Sequence, residues 1–220
     1  MQKIQEIIVR NFKSIQKALP SHIELVAVSK NHSVEKIGWL YSEGQRVFGE
    51  NRVQELVEKE KELPKDIRWQ FVGHLQTNKV KYIAPFVDRI QSVDSEKLLI
   101  EIDKQALKNG RRIKVLLQIK IAEEENKTGL APVVAENIYA KYIAGDYCNV
   151  EICGLMGIAT HTENREKIRE EFTFLKNLFD DFSSKKKMKT LSMGMSEDYL
   201  LAIECGANSV RIGSVIFGER

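Results

Sequence analysis

No stretch of this chain stays apolar for the length that spans a bilayer, and residues 1–19 are charged throughout rather than patterned as a secretory leader. A cytoplasmic protein without membrane contact is expected. Cysteine is scarce. Cys148, Cys153 and Cys205 make an odd number with no C-x-x-C spacing, which argues against a disulfide framework and suits a reducing compartment. Each stands among apolar neighbours, so all three are expected to pack as small core residues. Histidine is also sparse: His22, His32, His74 and His161 show neither H-x-x-x-H nor H-E-x-x-H spacing, and no metal site is expected. Charge of one sign is lacking too. With 34 basic and 31 acidic residues the net charge is only +3, and no long basic stripe exists, so a dedicated nucleic-acid binder is excluded. The run Lys185-Lys186-Lys187 reads as a solvated helix end. No composition shift, low-complexity tract or linker divides the chain, so residues 1–220 are expected to form one domain.

What is present is alternation. Hydrophobic residues make up 43% of the chain, enough for a sizeable core. Short β-branched runs read as strands at 23–29, 46–48, 69–72, 89–93, 113–119, 150–158, 190–193 and 210–212. Helical spacing fills the gaps. Ile4, Ile7, Ile8, Phe12, Ile15 and Leu19 form the first stripe, ended by Pro20; Ile168, Phe172, Leu175 and Phe179 form another within a helix over 163–182. Ser33 and either Asp94 or Ser95 suit helix starts; Gly44, Gly110 and Gly145 suit helix ends; Pro64 breaks a helix. A polar loop over 122–129 follows the fifth strand, and a helix over 196–205 follows the seventh. Strands separated by helices pair in parallel, because parallel neighbours need crossover connections. Eight such units point to a closed (β/α)8 TIM-type barrel, in the α/β class. An open doubly wound sheet is the alternative.

In such a barrel the residues after each strand share one mouth. They are Lys30, Glu50-Asn51, His74, Ser92 to Asp94, Lys120, Met156-Gly157, Ser192 to Ser196, and Arg211 with Gly213-Ser214. The last two groups each end an apolar strand in glycine and hydroxyl residues and lead toward a helix. Close backbone approach, bare N–H groups and serine hydroxyls make an anion cradle, and the loops after strands seven and eight are the usual phosphate site of a barrel. Lys30 rises directly from the run Leu25-Val26-Ala27-Val28. A lysine in a partly dry site loses proton affinity and forms Schiff bases with carbonyls. Lysine and phosphate cradle together suit pyridoxal 5′-phosphate, or equally a phosphorylated sugar aldehyde. With the first of these, Arg211 has a specific effect. A guanidinium only donates, so it leaves a pyridine nitrogen unprotonated and weakens the ring as an electron sink. His74 reads as well as a turn or capping residue as a functional one.

The segments AVSK (27–30), FGENRVQE (48–55), WQFVGHLQTNK (69–79), QSVD (91–94), KTGL (127–130), GLMGI (154–158), LSMGMSEDYLLAI (191–203) and VRIGSVIFG (210–218) carry a further signal. Together, and in this order, they resemble the pyridoxal phosphate homeostasis proteins, single-domain relatives of the alanine racemase N-terminal barrel. The resemblance implies an alanine racemase N-terminal-domain-like barrel holding pyridoxal 5′-phosphate as an internal aldimine on Lys30. It implies phosphate contacts from Ser196, Gly213 and Ser214, the pyridine-facing role for Arg211, and Asn51 and Met193 lining the ring. Two positions depart from the family pattern: Lys120 stands where asparagine is common, which leaves that loop's contact open, and Ser214 replaces threonine but keeps the hydroxyl.

The expected function is therefore intracellular homeostasis of pyridoxal phosphate, the vitamin B6 cofactor, carried without established turnover and passed to pyridoxal phosphate-dependent apoenzymes. A pyridoxal phosphate-dependent amino-acid racemase or related one-base enzyme is the alternative, and a Schiff-base aldolase on a sugar phosphate a third reading. Alanine racemases add a C-terminal β domain and a partner-subunit tyrosine as second acid/base; no residues follow the eighth strand here to build one, so a monomer is expected.

Overall fold

β-Branched and aromatic runs are stable in a sheet only where both faces are covered. A computed structural model, which describes residues 2–124 and 127–218, shows how this chain covers them. The strands are β1 Glu24–Val28, β2 Val47–Glu50, β3 Arg68–Phe71, β4 Arg89–Val93, β5 Ile113–Ile119, β6 Val150–Gly157, β7 Thr190–Ser192 and β8 Ser209–Ile212. Each pairs in parallel with the next, and β8 pairs with β1, so the sheet closes into a barrel rather than fanning open. Around it lie α1 Gln2–Ala18, α2 Val34–Ser42, α3 Val53–Glu62, α4 Val80–Ile83, α5 Glu96–Lys108, α6 Pro132–Ala144, α7 Arg165–Lys185, α8 Tyr199–Glu204 and α9 Ser214–Phe217. Of the expected 122–129 loop, Glu125 and Asn126 lie outside the described residues, as do Met1, Glu219 and Arg220 of the expected 1–220 domain. Among the described residues no helix is long and apolar enough to cross a membrane.

Strand alternation divides the core. Leu25, Ala27, Phe48, Trp69, Phe71, Val115 and Leu117 join the large layer between barrel and helices. Leu116 lies between two of these and faces the other way, into a small interior cluster with Cys153 and Met156. Val26 and Val28 of β1 face the same way, over Gly49, and a file of polar side chains described below shares the interior with them.

Several local expectations change. Cys148 is exposed in the turn after α6, its Sγ donating to the Gly145 carbonyl at 3.2 Å, so only Cys153 is a fully buried thiol and Cys205 is half-buried. The apolar setting read from sequence neighbours was local, and the turn lifts Cys148 out of it. On α1, Ile8, Phe12 and Ile15 are buried while Ile4 and Ile7 are 50% and 39% exposed. On α7 the buried stripe continues to Phe182, and Phe179 is only partly buried. Ser95, not Asp94, caps α5, accepting from the Leu98 N–H at 3.3 Å. The helix expected from residue 196 starts only at Tyr199, because the Met195 N–H bonds to Asp198 Oδ1 at 2.6 Å and shapes a turn first.

Candidate functional site at the barrel mouth

The register of β1 on β8 pairs Ala27 with Ile212. The next residues up each strand therefore also lie side by side: a Cβ on Gly213 would sit 3.1 Å from the Val28 carbonyl oxygen. Lys30, half-buried two residues beyond Val28, leaves the same edge as Gly213 and Ser214. Between these loops His32 stacks on Phe217, ring centroids 4.6 Å apart. The amine-bearing loop and the hydroxyl-bearing loop thus open on one side of the barrel and touch.

The two cradles are joined as well. The Gly213 N–H donates to Ser196 Oγ at 3.3 Å, and the Arg211 N–H donates to the Gly194 carbonyl at 3.0 Å. The helices that follow are short, α9 having one turn, so neither adds much of a helix dipole behind its cradle. What remains is local: the hydroxyls of Ser196 and Ser214, and the N–H groups of Ser214 and Val215, which fall in a first turn where a helix offers no carbonyl. Met193 is fully buried, its side chain packed into the layer between barrel and helices.

Arg211 is 4% exposed. Its guanidinium donates to Ser192 Oγ at 2.6 Å and to the Gly157 carbonyl at 2.9 Å, at the upper end of β6. Burial lowers its pKa to about 10, opposed by the nearby charge of Asp198, so it stays cationic at neutral pH. Burial raises the Asp198 carboxyl, while the Met195 N–H and the Arg211 charge pull it down.

Around the rim, Asn51 approaches the β3 end so closely that a Cβ on Gly73 would sit 2.3 Å from its carbonyl oxygen. Only glycine fits there. Asn51 Oδ1 is buried and has no hydrogen-bond partner, an amide whose bonding the protein leaves incomplete. His74 Nδ1 lies 2.9 Å from Asp94 Oδ2, at the neighbouring strand ends. Lys120 is exposed after β5, and its N–H donates to the Leu130 carbonyl at 3.0 Å. Among the described residues no group of three or more His, Cys, Asp or Glu is arranged to hold a metal ion.

Behind Lys30 lies a cluster the sequence reading missed. Ser29 Oγ donates to Glu50 Oε1 at 2.6 Å. Lys59, 4% exposed, donates to the Ser29 carbonyl at 2.8 Å and to Glu50 and Glu55, each at 2.6 Å. Glu55 Oε1 in turn accepts the Asn31 N–H at 2.7 Å, holding Asn31 at a left-handed φ of 63°. Both neighbours of Lys30 are therefore clamped. The sequence signal was the i,i+4 spacing of Glu55 and Lys59, which also fits an ordinary solvated helix face.

Comparison with known proteins fixes the class. The alanine racemase N-terminal domain family matches residues 5–220, so this is an alanine racemase-type barrel. The pyridoxal phosphate homeostasis protein of Helicobacter pylori strain 26695 is 40% identical over 221 residues, 99% of this chain and 98% of that one. Its human namesake is 36% identical over 238 residues, 100% of this chain and 83% of that one. PipY of Synechococcus elongatus PCC7942, solved with PLP bound, has a TM-score of 0.88 at 34% identity, covering 96% of this chain and 100% of that chain. The chain belongs to the pyridoxal phosphate homeostasis protein family.

Proposed function

We propose that this protein binds pyridoxal 5′-phosphate covalently at Lys30 and serves its intracellular homeostasis, carrying the cofactor rather than turning it over. One juxtaposition supports the reading above all: a lysine and a glycine–serine cradle leave the adjoining ends of hydrogen-bonded strands β1 and β8. The residues fit the group. A space that a Cβ at Gly213 would narrow, two serine hydroxyls and bare N–H groups suit a phosphate, and the unsatisfied Asn51 amide suits a polar ring substituent.

When bound, the cofactor supplies an aldehyde carbon that takes the lysine nitrogen with loss of water, and an electron-withdrawing pyridine ring. Lys30 provides the amine. Ser196, Gly213 and Ser214 hold the phosphate and Asn51 lines the ring, while the Met193 side chain packs away from it into the layer between barrel and helices. Arg211 faces the ring nitrogen. Its guanidinium has no proton acceptor and stays charged, so it donates a hydrogen bond and leaves that nitrogen unprotonated. A weak electron sink suits a carrier. In this reading the protein works as a monomer in the cytoplasm, and its partners are the cofactor and the apoenzymes that receive it.

The test is borohydride reduction of protein loaded with pyridoxal phosphate, followed by peptide mass spectrometry. The reduced adduct is expected on Lys30 and absent from Lys30→Ala. An adduct on another lysine alone, or none, rejects the proposal.

A further inference from the structure

A single file of polar side chains runs through the barrel interior. Arg211 Nη1 donates to Ser192 Oγ at 2.6 Å, and Ser192 Oγ donates to Gln91 Oε1 at 2.6 Å. Gln91 Nε2 donates to Gln70 Oε1 at 2.5 Å, and Gln70 Nε2 donates to Glu24 Oε2 at 3.2 Å. The file crosses from β8 through β7, β4 and β3 to the first residue of β1. Ser192, Gln91 and Gln70 are all 0% exposed. At its far end Glu24 Oε2 also accepts from Arg89 Nη1 at 2.7 Å and Ser209 Oγ at 3.3 Å, in a cleft of about 190 Å³ opposite the mouth.

The direction of every bond is forced by the two ends. A guanidinium only donates, so Ser192 accepts from it, and the Ser192 proton goes to the oxygen of Gln91. That turns the Gln91 amine toward the Gln70 oxygen, and the Gln70 amine toward a carboxylate that only accepts. Reversing either amide would set two donors or two acceptors face to face. Each link thus fixes the next, from a cation at the mouth to an anion at the base. Barrel interiors are ordinarily filled by branched apolar residues, which need no such matching.

We propose that Glu24, Gln70, Gln91 and Ser192 are positioning residues for Arg211: their one-directional file holds the guanidinium in the orientation that presents its remaining donors to the cofactor's ring nitrogen. The last step rests on the function proposed above; the file itself does not.

Gln91→Leu breaks the file two links from Arg211, at a residue that does not touch it. In the protein without added cofactor, NMR should show the Arg211 guanidinium protons exchanging about tenfold faster than in the wild type, or more. Gln70→Leu/Gln91→Leu removes the stranded partner and repacks the interior with apolar groups. It should melt no lower than the single variant and yet exchange equally fast, a separation that a merely structural role would not produce. With ¹⁵N-labelled pyridoxal phosphate trapped at Lys30, the ring-nitrogen shift should move in both variants. Unchanged Arg211 exchange in Gln91→Leu overturns the proposal, and so does an unmoved ring-nitrogen shift with the adduct intact on Lys30. If wild-type protein forms no adduct at Lys30, the proposed function falls, and the exchange measurement alone decides whether the file positions Arg211.

Discussion

At the residue scale the mouth depends on atoms that are missing as much as on those present. Gly73 has no side chain because the Asn51 backbone occupies that space: its carbonyl oxygen would lie 2.3 Å and its Cα 2.7 Å from an added Cβ. Backbone cannot swing aside as a side chain does. Gly73→Ala is therefore expected to destabilise the fold by about 1–3 kcal/mol, the usual range for an overpacked site, as read from urea unfolding. It also displaces Asn51 from the rim, and affinity for pyridoxal phosphate should fall about tenfold, equivalent to ~1.4 kcal/mol. Full stability with unchanged affinity would show that the β2 and β3 loops are free to part.

At the scale of elements, α3 secures the loop that carries Lys30. Lys59 reaches from this helix to the carbonyl of Ser29 and to Glu50, which is wholly buried and has one unpartnered oxygen. Burial raises the Glu50 carboxyl above its ordinary 4.5, and the charge and hydrogen bond of Lys59 are the largest opposing influences. Lys59→Met strands that carboxylate and is expected to cost about 3–5 kcal/mol near neutral pH. A carboxyl whose folded pKa exceeds its unfolded one stabilises fully below the unfolded value and loses that contribution as pH climbs through the folded one. Without Lys59 the folded value climbs further. The gap in melting temperature between variant and wild type should therefore widen as pH rises above the ordinary 4.5 of a glutamate; a constant gap would mean that Glu50 is not the group left exposed to the loss.

This cluster also marks the boundary of what the sequence can reveal. Strand identity was legible where a run such as 113–119 is mostly apolar and bounded by turn residues, and its observed bounds coincide with the reading. The mouth was legible because its residues lie in the last positions of those strands or just beyond them. Lys59 was not, since a lysine four residues after a glutamate looks the same on a solvated face as beneath a loop. Gln70 and Gln91 were hidden for a related reason: which side of a strand faces inward becomes a site only when the sheet has closed. The start of α8 was misjudged because Asp198 caps a turn instead of continuing the helix.

At the scale of the whole molecule, closure brings the first and last units together. Four residue pairs join β1 to β8, and α1 packs against α9, with Asn11 Nδ2 donating to the Ile216 carbonyl at 3.4 Å. A ligand bonded to Lys30 and cradled by Gly213 and Ser214 would therefore fasten the seam where the barrel closes. Binding to the folded state alone stabilises by about 2.7 kcal/mol at a hundredfold excess over Kd. For a domain of this size each kcal/mol raises Tm by about 2–4 °C, so pyridoxal phosphate should raise it by roughly 5–10 °C. Lys30→Ala should lose most of that gain. Hydrogen exchange should slow in β1 and β8 together on loading, because they are the two sides of one seam. Slowing confined to β8 would place the ligand on the phosphate cradle without the lysine, and the seam would then owe its stability to strand pairing alone.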